Sequence, residues 1–286
     1  MMTRPLVGLS LMLEDDFLRA TYPLFESGAV DVLEWSFDTG WPPADVPKWA
    51  EELLHFYSES GRLVGHGISY SILSAGTEDL QQTWLQLFST EIDRRRYHHI
   101  SEHFGFSSTR NFHQSAPLPV PLTSATLQLG QERLQCLAQI AKVPVGLENL
   151  AFAFSLRDVL DQGRFLDELL APIDGFVVLD LHNLYCQAMN FERLFEDLLT
   201  GYPLPRVREL HIAGGSWSQG IDPRPVRRDT HDGPVPDELF SLLPVVLREC
   251  PKVECVILER MGGTLSESES FRRDFFRLKE VVDAAA

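Results

Sequence analysis

Residues 145–212 read VGLENLAFAFSLRDVLDQGRFLDELLAPIDGFVVLDLHNLYCQAMNFERLFEDLLTGYPLPRVRELHI. Three short β-prone runs, Val145–Glu148, Phe176–Leu181 and Val207–Ile212, alternate here with stretches at 155–170 (SLRDVLDQGRFLDELL) and 191–200 (FERLFEDLLT). In those stretches the apolar residues recur every three or four positions, the spacing of a helix with one buried side. Strand, loop and helix repeated in that order are the mark of parallel βα units.

The alternation continues in both directions. Further strands are predicted at Leu6–Met12, Val30–Ser36, Leu63–Ser69, His98–His103 and Val253–Leu258, and further helices at 45–60, 77–96, 126–142 and 236–250. Eight strands are the number that a closed (β/α)8 barrel requires, and such barrels typically need about 250 residues. The chain has 286 residues, 44% of them hydrophobic, and no low-complexity linker, so we read residues 1–286 as one α/β TIM barrel domain. Two connections, Phe106–Ser124 and Gly214–Arg228, are long, rich in Pro, Ser and Gly, and each follows a strand. Long βα loops are where a barrel of this kind carries its active site.

Charge and cysteine usage exclude several classes. A formal net charge of -16 repels a phosphate backbone, and the basic stretches RRR at 94–96 and PRPVRR at 223–228 read as a solvated helix face and a loop. Nucleic acid is therefore not an expected partner. No run of about 18 apolar residues is free of charges and turn formers, and the N-terminus lacks a long apolar core, so neither a membrane span nor a signal peptide is predicted. Cys136, Cys186, Cys250 and Cys255 show no CxxC pairing, which fits a reducing cytoplasm. Cys136 on a helix and Cys255 in a strand are expected in the core, and Cys186 is read as a packing residue near the turn at 180–183.

The informative residues are those at the strand ends. The carboxyl ends of barrel strands open into a common mouth, so residues distant in sequence converge there. In strand order the polar residues are Glu34 with Asp38, His66, Glu102 with His103, Glu148 with Asn149, Asp180 with His182 and Asn183, His211 and Glu259. Asp229 and His231 follow in the loop after the seventh strand. Three or more carboxylates gathered in one small mouth cost several kcal/mol each unless a cation compensates them. Mixed imidazole and carboxylate ligands suit iron, manganese or zinc, and their number admits more than one ion.

Several segments together resemble the multinuclear non-haem iron-dependent oxidases, the family that includes the methanobactin oxidase. They are HGISYSILSAG at 66–76, SEHFGFSS at 101–108, GLENL at 146–150, VLDLHNLY at 178–185, ELHIAGG at 209–215, DTHDGPVPDELFSLL at 229–243 and ILER at 257–260. The resemblance implies a barrel holding two or three irons in mixed Fe(II)/Fe(III) valence, with dioxygen as co-substrate. It also implies oxidation of a cysteine in a ribosomally made precursor peptide, delivered by a small companion protein in a heterodimer. The reaction is either excision of the β-carbon from a C-terminal cysteine, as in 3-thiaglutamate biosynthesis, or conversion of cysteine to oxazolone and thioamide, as in methanobactin maturation. A metal-dependent sugar isomerase or endonuclease-like barrel is the competing reading.

Carried over by motif, the ligands are His66, His103, Glu148, Asp180, Asn183, His211, Asp229, His231 and Glu259, with Glu148 bridging and Glu148, Asp180 and His211 expected in catalysis. The family turn commonly reads Asp-x-Asn-Asn, and here it reads Asp180-Leu181-His182-Asn183. His182 is thus either an additional ligand or an outer donor. Arg224, Arg227 and Arg228 give the second long loop local positive charge, which either steers a peptide carboxylate or offsets Asp222 and Asp229.

Overall fold

Alternate residues of a strand face opposite ways, and here the two sets separate cleanly. Val7, Leu9, Leu33, Leu63, Ile100, Val145, Leu147, Val177, Leu179, Leu210, Ile212, Val256 and Leu258 join one large apolar core that extends to the helices. Val32, Val64, Cys255 and Ile257 form a second, small cluster of their own. Two cores on opposite faces of one sheet mean that the sheet has closed on itself, with the small cluster inside.

The computed structural model describes residues 4–109, 111–219, 224–265 and 268–286. Its strands are β1 (Leu6–Ser10), β2 (Val32–Trp35), β3 (Leu63–Gly67), β4 (Ile100–His103), β5 (Phe106–Thr109), β6 (Phe112–Leu118), β7 (Val145–Glu148), β8 (Phe176–Asp180), β9 (Val207–Ile212), β10 (Trp217–Gln219), β11 (Pro225–Arg227) and β12 (Cys255–Leu258). Eight of these form a closed parallel barrel in the order β1-β12-β9-β8-β7-β4-β3-β2, so every predicted strand is present. Around it lie α1 (Asp15–Glu26), α2 (Lys48–Glu59), α3 (Glu78–Arg94), α4 (Ser124–Ala141), α5 (Leu156–Leu170), α6 (Leu181–Asn190), α7 (Phe195–Leu199), α8 (Asp237–Glu249) and α9 (Ser268–Ala285). Among the described residues no helix is long and apolar enough to cross a membrane.

Four local expectations are corrected. The long connections are not plain loops, since β5 pairs with β6 and β10 with β11 as antiparallel ribbons over the barrel mouth. Within these connections Arg110 and residues 220–223 lie outside the described residues. After β8 the chain runs straight into α6, because the Asp180 carboxylate caps the backbone N–H of Asn183 at 2.5 Å and Leu181, Leu184 and Ala188 supply a buried stripe. The helical content expected at 191–200 shrinks to α7. Cys136 is exposed, because the buried stripe of α4 runs through Gly130, Arg133, Leu134, Leu137 and Ala141 and position 136 points away from it. In the RRR stretch, Arg94 and Arg95 both pair with Glu51, and Arg95 also meets Glu91, so these two charges are neutralised within the fold.

Candidate metal centre

Strand register sets the level of each ligand. His103 on β4 lies opposite Glu148 on β7, and Asp180 on β8 lies opposite His211 on β9. The same parity that sends Ile257 inward carries Glu259 to the mouth one step past β12.

His66 and His103 form the first group. Ser101 donates its hydroxyl to the Gly65 carbonyl and takes the Nδ1–H of His66 at 2.7 Å, while the Nδ1–H of His103 reaches the Gly67 carbonyl at 3.2 Å. With both Nδ1 positions committed, the two Nε2 atoms face each other at 3.4 Å. Glu148 Oε2 stands 3.4 Å from the first and 3.1 Å from the second. The other Glu148 oxygen turns to a different set, with Oε1 3.5 Å from His211 Nδ1 and 3.3 Å from Asn183 Nδ2. His211 Nδ1 also lies 3.3 Å from Glu259 Oε2.

Donor atoms of Glu148, Asp180, His211 and Glu259 all fall within 4.8 Å of one another, as do those of His66, His103 and Glu148. Glu148 belongs to both sets. A third group adjoins them, where Asp229 Oδ1 is 2.9 Å from His231 Nε2 and 2.7 Å from His182 Nδ1. His231 Nε2 lies 3.8 Å from Glu259 Oε2 and so links this group to the second. His231 holds a φ of 51°, a left-handed conformation that a non-glycine residue adopts only when its surroundings impose it.

The nine expected ligands are therefore brought together in one continuous cluster. Its electrostatics are those of a site short of positive charge. Asp180 is driven well above the ordinary carboxylate range by burial first and then by Asp229, Glu148 and Glu259. Glu148 is held well below that range, because His103, His211 and His66 outweigh its burial. Burial opposes a proton on His66, yet the close approach of Glu148 and the charges of Glu34 and Glu148 lift it to about 9. His211 and His231 are raised in the same way by surrounding carboxylates that prevail over burial. His103 moves the other way, lowered mainly by burial.

Buried atoms without a hydrogen-bond partner converge on the same space: Glu148 Oε2, Asp180 Oδ2, Asn183 Oδ1, His211 Nδ1, His231 Nε2 and Glu259 Oε2. Native proteins rarely leave such atoms unsatisfied, so this donor set fits metal ions. Chemically the arrangement can hold more than one cation around a shared carboxylate. The side chains of His66, Glu148 and His211 are at most 4% exposed, whereas His103, Asp229 and His231 are 18–20% exposed, so access is from the rim that these three define.

His182 takes an outer position. Arg227 Nη2 donates to His182 Nε2 at 3.1 Å, and Nδ1 faces Asp229, so both ring nitrogens are engaged. Gly215 makes this packing possible, since a Cβ there would come within 2.7 Å of the His182 ring and 2.2 Å of the Arg228 carbonyl. Of the three arginines, Arg227 is buried between the rings of Tyr185 and Trp217, Arg228 bonds Ser218 at the surface, and Arg224 is exposed beside Glu192. Asp222 lies outside the described residues.

Residues 44–280 match the family of RiPP precursor modification enzymes MbnB/TglH/ChrH, which act on ribosomally made precursor peptides. The chain belongs to this family. Related members are the UPF0276 protein of Shewanella loihica, 28% identical over 86% of this chain and 84% of that one, and the UPF0276 protein of Rhizorhabdus wittichii, 27% identical over 90% and 88%. The MbnB/TglH/ChrH fold is shared with more distant solved structures. An L-ribulose 3-epimerase superposes with a TM-score of 0.60 at 14% identity, covering 98% of this chain and 95% of that one. The IOLI protein, solved with a binding zinc atom, superposes at 0.62 and 12% identity, covering 98% and 99%. At such identity the likeness is one of fold.

Sequence reasoning left out Glu209 and His99, which lie inside the barrel beneath His211. The available signal was the i, i+2 spacing of Glu209 and His211 in VRELHI.

Proposed function

We propose that this chain is a multinuclear iron, dioxygen-dependent oxidase that modifies a cysteine of a ribosomally made precursor peptide. The observation that carries the reading is the placement of Glu148, whose two oxygens face two different imidazole groups. His66, His103, Glu148, Asp180, Asn183, His211, Asp229, His231 and Glu259 would hold the ions, with Glu148 bridging. Iron, when bound, supplies electron exchange with dioxygen and a Lewis acid for the substrate thiolate.

The chain's own contribution is positioning and charge. Ser101 and the Gly67 carbonyl keep His66 and His103 in the tautomer that presents Nε2 to the centre, and Asp180 serves both as cap of α6 and as an anion aimed at the site. The peptide approaches over the rim at His103, Asp229 and His231. Arg227, the partner of His182, also lines a cavity of about 530 Å³ together with Tyr185, Asp237, Arg273 and Arg277 among others, which offers room for the flanking residues. Excision of the β-carbon from a C-terminal cysteine is the form of the reaction we favour, with a small companion protein delivering the peptide.

A mononuclear barrel of the sugar-isomerase kind needs one ion, for which Glu148, Asp180, His211 and Glu259 suffice as a donor group. It leaves the facing Nε2 atoms of His66 and His103, and the Asp229–His231 pair, without a task. Anaerobic purification followed by elemental analysis tests the choice. More than one iron per chain, lost together with dioxygen-dependent turnover of a cysteine peptide in Glu148→Ala, is the expected result. Full activity with magnesium alone, or in Glu148→Ala, sinks the proposal.

A further inference from the structure

Beneath the ligands the barrel interior is apolar only in part: TIM barrel cores are usually filled by branched aliphatic side chains, and here Val32, Val64 and Ile257 share the interior with charged groups. Glu34 on β2, Ser101 on β4 and Glu209 on β9 are wholly buried on the axis, as is His99 just before β4. His211 Nε2, the nitrogen turned away from Glu148, lies 3.0 Å from Glu34 Oε2 and 3.5 Å from Glu209 Oε1. The other Glu209 oxygen is anchored by His99 Nε2 at 2.7 Å. Apart from the approach to His211, neither oxygen of Glu34 nor Oε1 of Glu209 has a hydrogen-bond partner.

Two carboxylates in such a place are costly unless something positive stands above them. A neutral imidazole carries one proton. If Nδ1 of His211 serves a metal alongside Glu148 and Glu259, Nε2 must hold the proton, and Glu34 is the nearest acceptor. Glu209, tied down by His99, stays within reach as a second negative charge. A carboxylate behind a ligating histidine fixes its ring and makes it a stronger donor.

We propose that Glu34 is a positioning residue for the metal centre: it accepts the Nε2–H of His211, commits Nδ1 to the metal side and, with Glu209, sets negative charge against the centre from inside the barrel. That charge favours the higher oxidation state of a bound iron. The positioning half holds for any metal, whereas the oxidation-state half rests on the iron reading given above.

The test uses the full chain with Glu34→Gln, which keeps an acceptor and removes the charge, and Glu34→Leu, which removes both. Cobalt(II) titration of metal-free protein, followed by visible absorption, should show affinity about 10- to 100-fold weaker in Glu34→Leu and within about threefold of the parent in Glu34→Gln. In iron-loaded protein poised at one fixed potential, Mössbauer spectra should show a larger ferrous fraction in Glu34→Gln than in the parent. Histidine ¹⁵N spectra of zinc-loaded parent protein should place the His211 proton on Nε2. A proton on Nδ1, or unchanged cobalt affinity in a folded Glu34→Leu, overturns the positioning claim. An unchanged ferrous fraction in Glu34→Gln overturns the charge claim, and this variant decides if Glu34→Leu does not fold. Should the protein take up cobalt but no iron, the oxidase reading falls while the cobalt and ¹⁵N measurements still decide the role of Glu34.

Discussion

Arg227 Nη2 lies 3.1 Å from Nε2 of His182, and because a guanidinium only donates, that nitrogen must accept. The proton of His182 is thereby placed on Nδ1, where it is given to Asp229 at 2.7 Å. A residue that departs from the family turn has in this way become a fixed link between a buried arginine and a candidate ligand.

The link has a measurable charge. Burial is the main cause that lowers the His182 pKa, the charges of His231 and Arg227 add to it, and Asp229 opposes them. Arg227→Met removes one lowering charge and frees Nε2, so the His182 pKa should rise in metal-free protein, as an NMR titration would show. Loss of the fixed tautomer should also weaken metal retention at Asp229, with a decrease of less than one ion per chain by elemental analysis. A His182 pKa that stays put in Arg227→Met contradicts the assignment.

Proton competition sets a second expectation. In metal-free protein His66 titrates at about 9, above its ordinary value of 6.5. A raised pKa means that its proton stabilises the fold fully below about pH 6.5 and that this contribution fades as pH rises through about 9. Metal takes the place of the same proton, so binding strengthens over the same window. The difference in Tm between metal-loaded and metal-free protein should therefore widen from pH 6.5 to 9. A constant difference would show that His66 is not a ligand.

The strained backbone at His231 gives a third. A φ of 51° suits glycine better than any residue with a Cβ, by about 1 kcal/mol. Both His231→Gly and His231→Ala remove the contact to Asp229, so their difference isolates the backbone. In metal-free protein the glycine variant should be the more stable by about 1 kcal/mol in urea unfolding, while both variants retain less metal than the parent. If the two unfold alike, the conformation is not imposed on position 231.

Much of this was legible because barrel strands are buried on both faces and stand out as short β-prone runs. The candidate positions His66, His103, Glu148, Asp180, His211 and Glu259 followed from where those runs end, whereas Asn183, Asp229 and His231 entered the expected ligand set through the family motifs. Glu209 escaped because VRELHI reads equally well as a strand with one wet face, and only knowledge that His211 points inward forces Glu209 to the axis. The first turn of α6 escaped for another reason. Asp180 looks like the end of a strand, yet the same carboxylate begins a helix, and the absence of Gly or Pro after it was the unread signal. Cys136 was misplaced because its neighbours Leu134 and Leu137 are buried and it is not, a one-residue phase error on α4.

The loop arginines supply the last prediction. Arg228 is tied to Ser218 at the surface and Arg224 sits exposed near Glu192, whereas Arg227 lines the cavity and its Nε has no partner. If a peptide carboxylate is recognised, Arg227 is the residue placed to bind it, and Arg228 contributes only long-range attraction. Removing Arg227 also disturbs His182, so activity alone does not separate the two roles. A comparison of peptides does. Arg227→Ala should lower kcat/KM for a peptide with a free C-terminal carboxylate by roughly 10- to 100-fold more than for its amide, the worth of a charge-assisted hydrogen bond. Arg228→Ala should change both peptides by less than about threefold, and the change should vanish at high salt. Equal losses for both peptides in Arg227→Ala would remove the carboxylate contact and leave Arg227 as the residue that holds His182.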